Sequence, residues 1–94
     1  MIKSIKSKAL KRLYEKGDAS KVHADHRERV NDILALLDSA KTPSDMELPG
    51  LKLDLHPLKG ERRGTWAVTI KKNWRITFRF DGQDAADLDY EDYH

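Results

Sequence analysis

Two histidines, a closing acid and phenol, and a set of fixed cations occupy the second half of this 94-residue chain. His56 stands in Leu55-His56-Pro57-Leu58-Lys59-Gly60 and Arg75 in Asn73-Trp74-Arg75-Ile76-Thr77-Phe78. The sequence ends Asp89-Tyr90-Glu91-Asp92-Tyr93-His94. Imidazole titrates near neutrality and can take or give a proton. A guanidinium keeps its charge and can grip phosphate through two parallel hydrogen bonds. RNA carries its own nucleophile, the 2′-hydroxyl. Cutting it needs a base for that hydroxyl, donors for the charge gathering on phosphorus and an acid for the departing 5′-oxygen. The residues are thus an inventory for breaking a phosphodiester without a metal. His56 and His94 suit proton transfer, Arg75 and Lys59 suit the phosphate, Asp92 can orient an imidazole, and Tyr93 can stack on a base or donate a hydrogen bond. Which histidine is acid and which is base stays open.

Each of these has a plainer reading. A histidine before proline is also an ordinary strand end, and a final residue such as His94 is often frayed. Lys71 and Lys72 either touch RNA or keep an exposed turn hydrated. Trp66, Trp74 and Tyr90 fall in apolar alternation and read as core, whereas Tyr93 lies beyond it. His23 and His26 are three apart, but no third ligand accompanies them, so they read as hydrated surface residues and not as a metal pair. There is no cysteine-based zinc pattern, glycine-rich phosphate loop or nucleophile elbow, and neither metal nor cofactor is expected.

The elements that must position these residues follow from periodicity. Met1–Lys6 alternates weakly and could be a short strand. Ser7–Lys16 reads as a helix through Leu10, Leu13 and Tyr14, stopped by Gly17-Asp18. Val30, Ile33, Leu34 and Leu37 fall at helical spacing and define a second helix, beginning between Ser20 and Ala24 and ending near Ala40. Thr42–Gly50 reads as a loop. Then Leu51, Leu53 and Leu55 alternate with Lys52, Asp54 and His56, as in a strand. Trp66, Val68 and Ile70 form a second strand face, and Trp74, Ile76, Phe78 and Phe80 a third. The turn between those two is placed at Lys71-Lys72-Asn73. Asp81-Gly82 marks a hairpin into Ala86, Leu88 and Tyr90. The expected fold is α+β: one domain over residues 1–94, two helices on one face of a mostly antiparallel sheet of about four strands, and an open opposite face. That open face would carry Lys52, Asp54 and His56 from one strand and Arg75, Thr77 and Arg79 from another.

Net charge is only +2, but it is segregated. Residues 1–16 carry six Lys/Arg against one acid, residues 59–79 seven against one, and residues 81–94 six acids with no Lys or Arg. Such a layout suits a basic groove for nucleic acid beside an acidic element, or simply a charged surface. The absence of cysteine suits a reducing cytosol. The longest apolar run, Ile33–Leu37, is too short to span a membrane, and the basic N-terminus lacks an apolar signal core, so a cytoplasmic location is expected.

In type and order the blocks resemble the HigB toxins of the RelE/ParE superfamily. The resemblance rests on Met1-Ile2-Lys3-Ser4, Leu13-Tyr14-Glu15-Lys16-Gly17, Leu36-Leu37-Asp38-Ser39-Ala40 and the three blocks quoted above, and it runs the length of the chain. It implies a RelE-like domain and a type II toxin that cuts messenger RNA in the ribosomal A site. It also implies a HigA-type helix-turn-helix antitoxin as partner, with operator DNA bound only through the antitoxin complex. Carried over by residue, it places function at His56, Asp92, Tyr93 and His94, with Lys59 and Arg75 beside the RNA. Relatives can carry arginine near the strand turn, where this chain has Lys71 and Lys72. A ParE-like, non-enzymatic inhibitor of DNA gyrase is the alternative within the same superfamily.

Overall fold

The computed structural model describes residues 1–93. Helix α1 spans Lys8–Lys16 and α2 spans Arg27–Ser39, with a 3-10 turn at Ala24–His26 leading into the latter. Strands β1 (His56–Pro57), β2 (Trp66–Lys71), β3 (Trp74–Asp81) and β4 (Asp84–Asp92) form one antiparallel sheet in sequence order. This is the expected α+β arrangement. Ser7 caps α1 by accepting the Leu10 N–H at 3.2 Å, and Gly17 closes it at φ 68°, where a side chain would be strained. Leu10 and Leu13 from α1, and Val30, Ile33, Leu34 and Leu37 from α2, are buried against Val68, Ile76, Phe78 and Leu88 of the sheet. One turn falls at Lys72-Asn73, within the expected Lys71-Lys72-Asn73, and the other at Gly82-Gln83, one residue beyond the expected Asp81-Gly82.

Several expectations need correction. The N-terminal segment is no strand: it makes two isolated parallel bridges to β4, Ile2 to Ala85 and Ile5 to Leu88. The bridging residues are three apart because β4 itself is bulged, with Asp87 at φ 53° and a register break between Thr77 and Arg79 on its partner. The Asp87 N–H is taken by Ser4 Oγ at 2.8 Å. The same bulge breaks the expected Ala86–Leu88–Tyr90 alternation: Ala85, not Ala86, shares the core with Leu88. In the Thr42–Gly50 loop, Pro43–Met46 forms a 3-10 turn that buries Met46.

A further correction bears on function. Residues 51–55 are not a strand, because Lys52 and Asp54 sit at φ 51° and 52°. Leu53 is still buried, and its carbonyl accepts the Thr69 N–H at 2.7 Å. Arg29 of α2 takes the place of a ladder: its guanidinium donates to the carbonyls of Leu51 (2.9 Å), Lys52 (3.0 Å) and Thr69 (3.1 Å). Regular pairing begins only at His56, opposite Ala67. The far face of the sheet is less open than expected, with Thr77 only 1% exposed and Arg75 buried.

Candidate functional site

At the end of the sheet where β1 starts, β3 starts and β4 finishes, a groove of about 510 Å³ gathers His56, Lys59, Arg62, Lys72, Arg75 and Tyr93. Each reaches it by a different route. His56 stands at the head of β1, which pairs with β2, so β2 separates it from Arg75 on β3. Lys59 precedes the 3-10 turn at Gly60–Arg62 and Arg62 ends it, and Lys72 comes from the β2–β3 turn at φ 53°. Tyr93 follows β4, its N–H donated to the Asn73 carbonyl at 2.7 Å. Four fixed cations therefore face the groove, against one carboxylate there, Asp54.

His56 is held by its neighbour's backbone. Its Nδ1 lies 2.8 Å from the carbonyl oxygen of Asp54, which the left-handed turn at that residue aims back at the ring. A carbonyl only accepts, so Nδ1 carries the proton and, in the neutral ring, Nε2 is left with its lone pair. Nε2 is then the ring atom left to accept a hydrogen bond.

Arg75 is held from two sides. Its Nε and Nη2 donate to Glu91 Oε1 at 2.7 and 2.6 Å, and its guanidinium lies 4.2 Å from the Tyr93 ring centroid. Arg75 and Glu91 are directly opposite in the β3–β4 register, so the pair is a cross-strand one. Glu91 also accepts from Arg62, Nη1 at 2.9 Å and Nη2 at 3.4 Å. Burial pushes the Glu91 carboxyl up, but the hydrogen bonds and charges of Arg62 and Arg75 outweigh it and hold the group below the usual carboxylate range.

Behind the groove, Trp74 packs at a tilt against Tyr90 and His23, with ring centroids 4.7 Å apart in each case. His26, expected at the surface, is buried in this cluster, and its Nδ1 is 2.7 Å from the Tyr90 hydroxyl. Burial lowers the His26 imidazole, against a smaller upward pull from Asp25. No cluster of three metal-ligating side chains occurs among the described residues.

The candidates separate accordingly. His56, Lys59, Arg75, Lys72 and Tyr93 are brought together. Lys71 points elsewhere, its ammonium 3.1 Å from Asp25. Asp92 is exposed and pairs with Trp74 in register, so alternation puts it across the strand from Glu91. His94 lies outside the described residues. Arg62 and Glu91 were not singled out from sequence. Both appear in the charge inventory, but only the β3–β4 register and the Gly60–Arg62 turn bring them together.

Comparison with known proteins gives two matches. Residues 3–94 match the family model described as a RelE-like toxin of the type II toxin–antitoxin system HigB. The chain is also 50% identical over 94 residues to a Proteus vulgaris protein named endoribonuclease HigB, with both sequences covered in full.

Proposed function

This chain belongs to the HigB family of RelE-like toxins of type II toxin–antitoxin systems, and from that premise we propose that it cuts messenger RNA in the ribosomal A site and so halts translation. The observation that carries the chemistry is the convergence of His56, with its Nε2 free to accept, on a groove lined by Lys59, Arg62, Lys72 and Arg75.

His56 takes the proton from the 2′-hydroxyl at Nε2. The alkoxide attacks the adjacent phosphorus, giving a 2′,3′-cyclic phosphate and releasing the 5′-oxygen. Arg75 and Lys59 hold the charge that builds on the phosphoryl oxygens, with Lys72 at the rim. The proton for the leaving oxygen is assigned to His94, with Asp92 orienting an imidazole. Tyr93, 57% exposed on the Arg75 guanidinium, offers its free ring face to a base. Lys71, outside the groove lining and 3.1 Å from Asp25 at the surface, is left to contact RNA beyond the groove. No step in this sequence calls on a metal.

A type II toxin has an antitoxin partner. Here it is a HigA-type helix-turn-helix protein, through which the complex reaches operator DNA, and the site of action is the cytoplasm. The ribosome aligns the substrate, which lets a small enzyme rely on geometry as well as on its own groups. The gyrase-inhibitor alternative is not favoured, since the full-length relative is an endoribonuclease by name.

The test is single-turnover cleavage of an A-site codon on programmed bacterial ribosomes with chelator present. His56→Gln and His94→Ala are each expected to slow cleavage by about a hundredfold or more. Near-normal cutting by both would remove the two-histidine assignment. Loss in one alone would move the second proton role to Tyr93 or Asp92.

A further inference from the structure

Glu91 sits where a substrate phosphate would be welcome. Its Oε1 accepts from Arg62 Nη1 at 2.9 Å and from Arg75 Nε and Nη2 at 2.7 and 2.6 Å. A carboxylate and a phosphate offer a guanidinium the same paired acceptors, so this carboxylate occupies donors that a phosphate would use.

The two arginines are not equivalent. Arg75 is a strand residue, its side chain 11% exposed, pinned between Glu91 and the Tyr93 ring. Arg62 ends a three-residue 3-10 turn, and its side chain is 45% exposed. Its bond to Glu91 is screened by water and exchanges cheaply, whereas pulling Arg75 away would strand a buried charge. Arg62 also lines the groove, as Glu91 does not.

Building on the RNA-cleaving reading above, we infer that Glu91 is an internal stand-in for the substrate phosphate, and that Arg62 is the cation handed from Glu91 to that phosphate on binding. Arg75 stays on Glu91 throughout and keeps its orientation. Glu91 is therefore a positioning residue for Arg75 and a competitor for Arg62. In the free protein it also masks one positive charge from unrelated polyanions. Removing its charge has opposite effects on binding and on cutting, a split that simple damage to the fold would not give.

The experiment measures affinity for bacterial ribosomes programmed with a messenger whose A-site codon carries 2′-O-methyl groups and so lacks the attacking hydroxyl. Wild type, Arg62→Gln, Glu91→Gln and the double variant are compared across a salt series, beside cleavage of the ordinary messenger. Arg62→Gln is expected to weaken binding about three- to tenfold and to make the log–log salt slope shallower by roughly one. Glu91→Gln is expected to tighten binding by a similar factor and steepen the slope by roughly one, yet to cut at least about tenfold more slowly at saturation. Most of that tightening should vanish when Arg62 is already gone. Glu91→Asp, which keeps the charge but shortens the reach, should slow cutting without tightening binding.

An equal gain from Glu91→Gln with and without Arg62 would overturn the inference, because it would reduce Glu91 to bulk charge. So would an unchanged affinity and slope in Glu91→Gln. Wild type that neither binds nor cuts would remove the RNA-cleaving reading itself, and this inference with it.

Discussion

Arg75 does two jobs with one planar group: its edge bonds Glu91 and its face lies on Tyr93. An ammonium has no planar edge and face to do both at once, and it lacks the further N–H donors that a guanidinium bound to Glu91 can still turn toward phosphate. Arg75→Lys is therefore expected to fold yet to lose at least about tenfold in saturated cleavage; wild-type cutting by this variant would show that charge alone suffices. Glu91 adds a pH dependence whose sign is fixed by its neighbours. Its folded carboxyl is held below the ordinary range by Arg62 and Arg75, which together outweigh the burial that raises it. Its contribution to stability is thus complete above the unfolded value of about 4.3 and is lost as pH falls through the lower folded value. Thermal melts from pH 6 down to pH 3 should show wild type losing stability over the acid part of the range. Glu91→Gln should show a shallower loss, and parallel curves would mean that other carboxylates dominate the acid response.

At the scale of elements, the segment before His56 decides whether the imidazole is aimed. It is held not by sheet pairing but by Arg29, whose guanidinium ties α2 to the carbonyls of Leu51, Lys52 and Thr69. Arg29→Met keeps the aliphatic stem but releases all three, at a cost of about 2–3 kcal/mol. Urea unfolding should report that loss, and single-turnover cleavage should slow as Asp54 and His56 lose their fixed relation. Full activity in a destabilised Arg29→Met protein would mean that burial of Leu53 alone holds the segment. This segment also marks how far the sequence could be read. The leucine alternation at 51, 53 and 55 located the buried side correctly, but alternation says nothing of φ, and two left-handed residues hid inside it. Likewise Ala86, Leu88 and Tyr90 suggested an unbroken strand, because a bulge leaves no mark on composition. Both helices and both tight turns were legible to within a few residues, since helical spacing and glycine act locally, although α2 starts only at Arg27, after a 3-10 turn and later than the expected Ser20–Ala24. His56, Lys59 and Arg75 were legible as chemistry. The Arg62–Glu91–Arg75 cluster was not, because it needs the register of two strands and the path of a turn. His26 was misread for a related reason: its burial depends on Trp74 and Tyr90, distant in sequence.

For the molecule as a whole, one core supports everything the groove requires. The sheet buries one face under α1 and α2, and the groove residues hang from the ends of the same strands. A chain of 94 residues has roughly 5–14 kcal/mol of stability in all, so the margin is thin. Ile33 on α2 is fully buried in that core, well away in sequence from any groove residue. Ile33→Ala is expected to cost about 2–4 kcal/mol. For a domain of this size that lowers the melting temperature on the order of 10–30 °C. The groove is lined by residues such as His56, Lys59, Arg62, Lys72, Arg75 and Tyr93, none of them on α2. The variant should therefore cut at the wild-type rate per folded molecule in the cold, and lose activity on warming only as its circular dichroism melts. An antitoxin that binds the folded toxin alone should raise that melting temperature in proportion to the logarithm of its concentration. A variant that is folded in the cold by circular dichroism yet cuts slowly there would mean something different. It would show that packing beneath the sheet sets the groove geometry above it, and that the two faces of β3 cannot be altered independently.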